Sequence, residues 1–227
     1  MARLARYVIP GIPHHVTQRG NGRQQTFFED ADYLAYLDLL EAQCAAHGVA
    51  VWSWVLMPNH VHLILVPDHV DALRAALSKV HRAYAGRIHA RKRLTGHFWQ
   101  GRFGCVAMDE AHLLAALRYV ALNPVRAGLV RRAQDWRWSS VHALLDPARG
   151  DRITQTAPVL DRVPDIAALL QSGLQSGKDA ALSDALRRSE SIGRPLGDSA
   201  FLDRVETILG RDPKPRKPGR KPQSDGK

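Results

Sequence analysis

Apolar residues along this chain change their spacing several times, and each change marks a new element. His14 to Arg19 reads as a short strand, broken by Gly20, Asn21 and Gly22. Leu34, Tyr36, Leu37, Leu40 and Cys44 then follow helical spacing. Asp30 or Asp32 can start that helix, and Gly48 marks its end. Val49 to Met57 and His60 to Val66 form a nearly continuous apolar run split by Pro58-Asn59, which predicts two strands joined by a turn. Leu73, Leu77, Val80, Tyr84 and Ile88 make the apolar side of a second helix, and Phe103 to Met108 reads as a fourth strand. Asp109 is a suitable N-cap for the next helix, which carries Leu113, Leu117 and Tyr119. Pro124 disfavours helical geometry at the residue before it, so this helix is predicted to stop at Asn123.

Strand, helix, two strands, helix, strand is the order of a ferredoxin-like or RNA-recognition-type βαββαβ fold, of the α+β class. It predicts a four-stranded antiparallel sheet with helices on one face. The pattern changes after about Leu145. Residues 146–156 are polar and loop-like, and Ile166 to Leu174, Ala180 to Arg188 and Ser199 to Gly210 read as helices. Three units are expected: a domain over 1–145, a helical appendage over 146–210, and a structureless basic tail over 211–227.

Inside the apolar run stand two histidines one residue apart, His60-Val61-His62. Side chains alternate along a strand, so both emerge on the same face, where two imidazoles make half of a divalent-metal site. The structural alternative is a pair of strand histidines satisfied by hydrogen bonds. Tyr119 and Asn123 are four residues apart on one helix face, with Cβ atoms roughly 5–6 Å apart. Taken alone they read as an amphipathic-helix tyrosine and a cap before proline.

The chain has 227 residues, a net charge of +10 and a pI near 10.1. Such a balance favours a polyanion partner, and nucleic acid before a membrane surface, because no long apolar or amphipathic anchor accompanies the charge. No membrane association is expected. By count, residues 211–227 hold seven Lys/Arg and two Asp, a net +5 and half of the total. Two cysteines, Cys44 and Cys105, are too few for a disulfide framework or a cysteine metal site. With no signal-peptide core, a cytoplasmic, nucleoid-associated protein is expected.

Met57-Pro58-Asn59-His60-Val61-His62-Leu63-Ile64 resembles the HUH motif of single-tyrosine transposases. Phe98-Trp99-Gln100-Gly101-Arg102-Phe103 and Arg118 to Leu129 resemble later blocks of one branch, the REP-associated tyrosine transposases. The opening Arg3 to Thr17, the block Trp136-Arg137-Trp138-Ser139-Ser140 and the block Gly193-Arg194-Pro195-Leu196-Gly197 resemble that branch too. The resemblance implies a nickase and rejoining enzyme acting on single-stranded DNA at palindromic hairpin repeats through a 5′-phosphotyrosine. Tyr119 would be the nucleophile, and His60, His62 and Asn123 would hold Mg²⁺ or Mn²⁺. Further DNA contacts are expected from His14, His15, Gln100 and Arg102. In the tail, Arg216, Lys217, Arg220 and Lys221 suit generic phosphate binding, since Lys221 interrupts the Gly-Arg-Pro core of an AT-hook-like segment. Whether one chain or a homodimer acts stays open. Two alternatives remain: a domesticated, non-catalytic hairpin-binding or regulatory protein, and an RNA-binding module of the same fold.

Overall fold

The computed structural model describes residues 5–172, 184–186, 188–189 and 193–214. Its first seven elements keep the expected order: β1 (His14–Arg19), α1 (Asp30–Ala46), β2 (Val49–Met57), β3 (His60–Pro67), α2 (Ala72–Lys92), β4 (Gly104–Ala107) and α3 (Glu110–Arg126). The strands form one antiparallel sheet in the order β2-β3-β1-β4. This is the α+β plan read from the sequence.

Residues paired across the sheet share a face, and faces alternate along each strand. Val16 pairs with Leu63 and Cys105, Trp54 with Leu63, and Leu56 with Val61. This set packs on α1 and α2 through Tyr36, Leu40, Leu77, Val80 and Tyr84. Val55, Met57, Ile64 and Val106 point the other way, onto Leu113, Ala116, Leu117 and Val120 of α3. The same second core takes in Val141 and Leu144 of α4 (Val141–Leu145), Val159 of α5 (Ala157–Leu160), and Ile166 and Leu170 of α6 (Ile166–Ser172). Helices therefore cover both faces rather than one, and Val141, Leu144, Val159, Ile166 and Leu170 contribute to the second core. The cause is visible in β2 and β3, whose apolar residues occupy both parities. A sheet buried on both sides requires that.

Both sheet edges are covered. Along β2, Leu56 N–H donates to Trp138 C=O and Ser140 N–H to Trp54 C=O. Along β4, Leu196 N–H donates to Ala107 C=O, and Asp109 N–H donates to Leu196 C=O. Unpaired edge groups invite pairing with other chains, and these two segments remove that opportunity. Leu196 precedes α7 (Ser199–Leu209), whose Phe201 and Val205 pack on Tyr7, Ile9 and Ala107.

α1 starts at Asp30, as expected, behind an N-cap at Glu29 that forms a reciprocal capping box with Asp32. The buried Asp32 is paired at 2.7 Å with Arg91 from the end of α2. At the other helix end the proline expectation fails, because α3 continues through Pro124 to Arg126. Proline removes one N–H donor and crowds the carbonyl four residues back. In the final turn this costs little, because the end closes another way. Leu129 N–H donates to Pro124 C=O at 2.9 Å and Gly128 N–H to Val125 C=O at 3.0 Å. Gly128 has φ +70°, the left-handed geometry such a terminus needs.

The start of the tail was expected to be structureless. Instead, the Arg211 guanidinium donates to Ala5 and Arg6 C=O and lies 3.7 Å from the Tyr7 ring centroid. Tyr7 Oη donates to Asp212 C=O at 2.6 Å. Among the described residues, no helix is long and apolar enough to cross a membrane.

Candidate active site

The two-residue connection between β2 and β3 is pinned from three sides. Pro58 C=O accepts from Thr26 and Phe27 N–H, Asn59 C=O accepts from Gly20 N–H, and Asn59 Nδ2 donates to Arg23 C=O. His60 opens β3 directly after this turn, so its backbone is fixed. His60 and His62 emerge toward α3, with ring centroids 4.9 Å apart. His60 Nδ1 lies 2.6 Å from Asn59 Oδ1. An amide oxygen only accepts, so the proton belongs on Nδ1, which leaves Nε2 with its lone pair. The Asn123 side chain is hydrogen-bonded to His60. Burial, helped by the Arg19 charge and opposed by the Asn123 bond, pushes the His60 pKa down to about 4. The ring is therefore neutral at neutral pH and able to act as a ligand.

His62 is 1% exposed, and a third imidazole holds it. His15 Nε2 lies 3.0 Å from His62 Nδ1, and the two rings stack at 5.2 Å with planes 10° apart. Burial lowers the His15 pKa to about 4, so His15 is also neutral. Strand pairing explains the meeting, since Thr17 pairs with His62 and His15 with Ile64, which puts all four on one face.

Tyr119 hangs from α3 over this group, its ring edge-on to His62 at 5.3 Å and to His15 at 6.0 Å. The extra turn of α3 past Pro124 brings Arg126 over the Tyr119 ring, 5.4 Å from the centroid. Sequence reading passed over Arg126, Arg19 and Asn59. For Arg126 the signal was present, because Tyr119, Asn123 and Arg126 lie at i, i+4 and i+7 on one helical face.

Among the described residues, no group of three or more His, Cys, Asp or Glu is arranged to hold a metal ion. The set here is different in kind, with two imidazoles and the Asn123 carboxamide. Two imidazoles beside a carboxamide fit a divalent cation, and their nitrogen content tilts the preference from Mg²⁺ toward Mn²⁺.

A family model described as Transposase IS200 like matches residues 10–123, half of the 227-residue chain. The chain belongs to the IS200-like transposase family. The match contains His15, His60, His62 and Tyr119 and ends on Asn123. Over 99 residues the chain is 25% identical to a REP-associated tyrosine transposase of Escherichia coli (strain K12). That alignment covers 43% of this chain and 56% of the relative, so it spans about half of the relative's length. A REP-associated tyrosine transposase solved bound to a REP hairpin has the same fold, with a TM-score of 0.52 and 24% identity. That superposition covers 66% of this chain and 87% of the other.

In this IS200-like transposase the remaining sequence candidates separate. His14 points to the opposite face from His15 and is fully buried. Its Nδ1 bonds Ile12 C=O at 2.7 Å and its Nε2 accepts from Ile9 N–H at 3.2 Å. With both ring nitrogens committed to backbone and burial holding its pKa down to about 4, His14 ties the chain start to β1 and offers DNA no ring atom. His15, expected beside it as a DNA contact, is 1% exposed beneath His62. Gln100 and Arg102 are exposed in the loop between α2 and β4, which is tied to β1 where Gln100 N–H donates to Arg19 C=O. Arg216, Lys217, Arg220 and Lys221 lie outside the described residues.

Proposed function

We propose that this transposase nicks and rejoins single-stranded DNA beside short palindromic hairpins, with Tyr119 as the covalent nucleophile. The observation that carries the reading is the convergence of His60, His62, Asn123 and Tyr119 from two elements far apart in sequence. The net charge of +10 and the hairpin-bound structural relative support DNA as the substrate.

The Tyr119 oxygen attacks a phosphorus in line with the departing 3′ oxygen. One P–O bond forms to the tyrosine as the P–O3′ bond breaks. The phenol proton passes to solvent, and the released O3′ takes up a proton to become a hydroxyl. The downstream strand then rests on Tyr119 through its 5′ phosphate. Phosphoester bond energy is kept, so another 3′ hydroxyl can reverse the step without ATP. His60, His62 and the Asn123 side-chain oxygen would hold a divalent cation, whose positive charge would stabilise the phosphate oxygens during the exchange. His15 holds the His62 ring so that its second nitrogen faces the site, and Arg126 adds a cation beside the nucleophile.

The test is incubation of the full chain and Mn²⁺ with single-stranded hairpin oligonucleotides from the flanks of its own gene. A denaturing gel should show a covalent protein–DNA adduct that is absent from Tyr119→Phe. Hairpin binding with no adduct in the wild type would replace this reading with the domesticated, non-catalytic one.

A further inference from the structure

Between the second half of α2 and the loop 96–102 lies an open cavity of about 540 Å³, separate from the histidine cluster. We infer that it receives one unpaired nucleotide of the DNA strand, its base on the Trp99 wall and its phosphate at Arg82 and Arg102. This rests on the DNA reading above and adds to it a subsite.

Four observations carry the inference. The first is charge. Arg82 and Arg102 are exposed at the cavity, His89 and His97 also line it, and among the described residues its lining includes no carboxylate. A lining of that composition suits an anion. The second is the wall. Trp99 is half-buried and fixed, with its indole N–H donating to His81 C=O at 2.9 Å and its ring 4.7 Å from Phe98. Its polar atom is spent inside the protein, so what remains for an occupant is the ring, and bases stack on such rings whatever their sequence. The third is room. Gly86 sits in the interior of α2, where alanine would give a more stable helix. A Cβ at Gly86, or at Gly96 across the cavity, would meet nothing within 4 Å. Open space beside a helix glycine is what close approach of a ligand to the backbone requires. The volume lies within the roughly 300–1,000 Å³ of small-molecule pockets. The fourth is continuity. The loop bearing Trp99 pairs with Gly20, and Gln100 N–H donates to Arg19 C=O. Arg19 faces His60 across the β1–β3 pair. The loop that lines the cavity is thus tied to the end of β1 that pairs with His60.

The test uses the full chain and fluorescence anisotropy with two oligonucleotides, a hairpin with single-stranded flanks and the same hairpin without them. Gly86→Leu extends into the cavity from a position where a Cβ has open space, and it raises helix propensity. It should weaken binding of the flanked hairpin about tenfold or more while leaving the bare hairpin unchanged. Arg82→Gln, an exposed substitution, should flatten the salt dependence of flanked-hairpin binding by about 0.7 log–log units. A flank carrying one abasic position, moved stepwise, should lose affinity at a single position in the wild type and at none in Gly86→Leu. A wild type that binds the flanked hairpin while Gly86→Leu and Arg82→Gln bind it equally well overturns the subsite alone. The subsite also falls if abasic flanks bind as tightly as normal ones at every position. A wild type that binds neither oligonucleotide overturns the DNA reading and the subsite with it.

Discussion

One strand, β3, serves two unlike regions. Val61, Leu63 and Leu65 enter the core under α1 and α2, whereas His60, His62 and Ile64 face α3. On the first face the polar atoms are tied off inside an aromatic packing. Tyr36 Oη bonds His81 Nε2 at 3.0 Å, and Tyr84 Oη donates to Thr26 C=O at 2.7 Å. Phe27, Tyr33 and Trp138 stack in a row at 4.5 Å spacing. On the second face the polar side chains bond one another, His15 to His62 and His60 to Asn123, beneath a tyrosine. The Tyr84 hydroxyl closes a buried backbone acceptor, which stabilises the fold. A cluster of imidazoles bonded to each other is a costly way to fill a core, and it agrees with the ligand role proposed above.

Exchanging equivalent atoms on the two faces should break this comparison most sharply. Tyr119→Phe should reduce cleavage about a thousandfold or more, because the hydroxyl is the atom that bonds to phosphorus. Tyr84→Phe should instead cost about 1–3 kcal/mol of stability in urea unfolding because Thr26 C=O loses a buried partner, with cleavage kept. A covalent adduct from Tyr119→Phe would move the nucleophile elsewhere.

Neighbours on β3 should divide in the same way. Leu63→Ala should cost about 2–5 kcal/mol, since its side chain is fully buried in the α1/α2 core. His62→Ala should abolish cleavage and Mn²⁺ binding, measured by titration with the free ion. Cleavage by His62→Ala at the wild-type rate, or by the wild type in excess chelator, would remove the metal from the mechanism.

His15 tests whether the second face is organised around its ligands. Losing a partner that orients a ligating histidine typically weakens metal binding about 10–100-fold. His15→Phe should show a loss of that size in Mn²⁺ titrations, and His15→Gln, which keeps a hydrogen-bonding group, a smaller one. Equal losses from both would make His15 a packing residue only.

The strands, the first two helices and the His60, His62, Tyr119, Asn123 set were legible because they rest on local periodicity and a short motif. What escaped depends on pairing between distant segments. His14 and His15 are adjacent in sequence, and only strand parity sends one to the backbone of Ile9 and Ile12 and the other beneath His62. Trp136–Ser140 and Gly193–Gly197 stood out as motif blocks, yet no periodicity shows that they lie along the two sheet edges. The continuation of α3 past Pro124 was hidden for another reason. The proline rule is local, whereas the compensation comes from Gly128 and Leu129 downstream.

The smallest expected difference concerns acid, where the two faces should behave alike. Burial, and after it the Arg6 charge, pushes the His81 pKa down to about 3, and burial pushes His15 down to about 4. In the unfolded chain both return to about 6.5. Each folded pKa is the lower one, so the folded state resists a proton that the unfolded chain accepts. Stability is therefore complete above pH 6.5. It falls as the pH drops from 6.5 toward 4, and each histidine stops contributing once the pH passes below its folded pKa. Within that window each such histidine adds up to about 1.4 kcal/mol of lost stability per pH unit. Urea unfolding at stepped pH should show His81→Gln losing up to one histidine's worth of slope. His15→Gln should lose a similar amount, although one residue sits in the structural core and the other under the ligands. If neither substitution changes the slope between pH 6.5 and 4, the two histidines take up protons in the folded state as readily as in water. The imidazoles of the second face would then not be held neutral, and the case for them as ready ligands would lose its electrostatic basis.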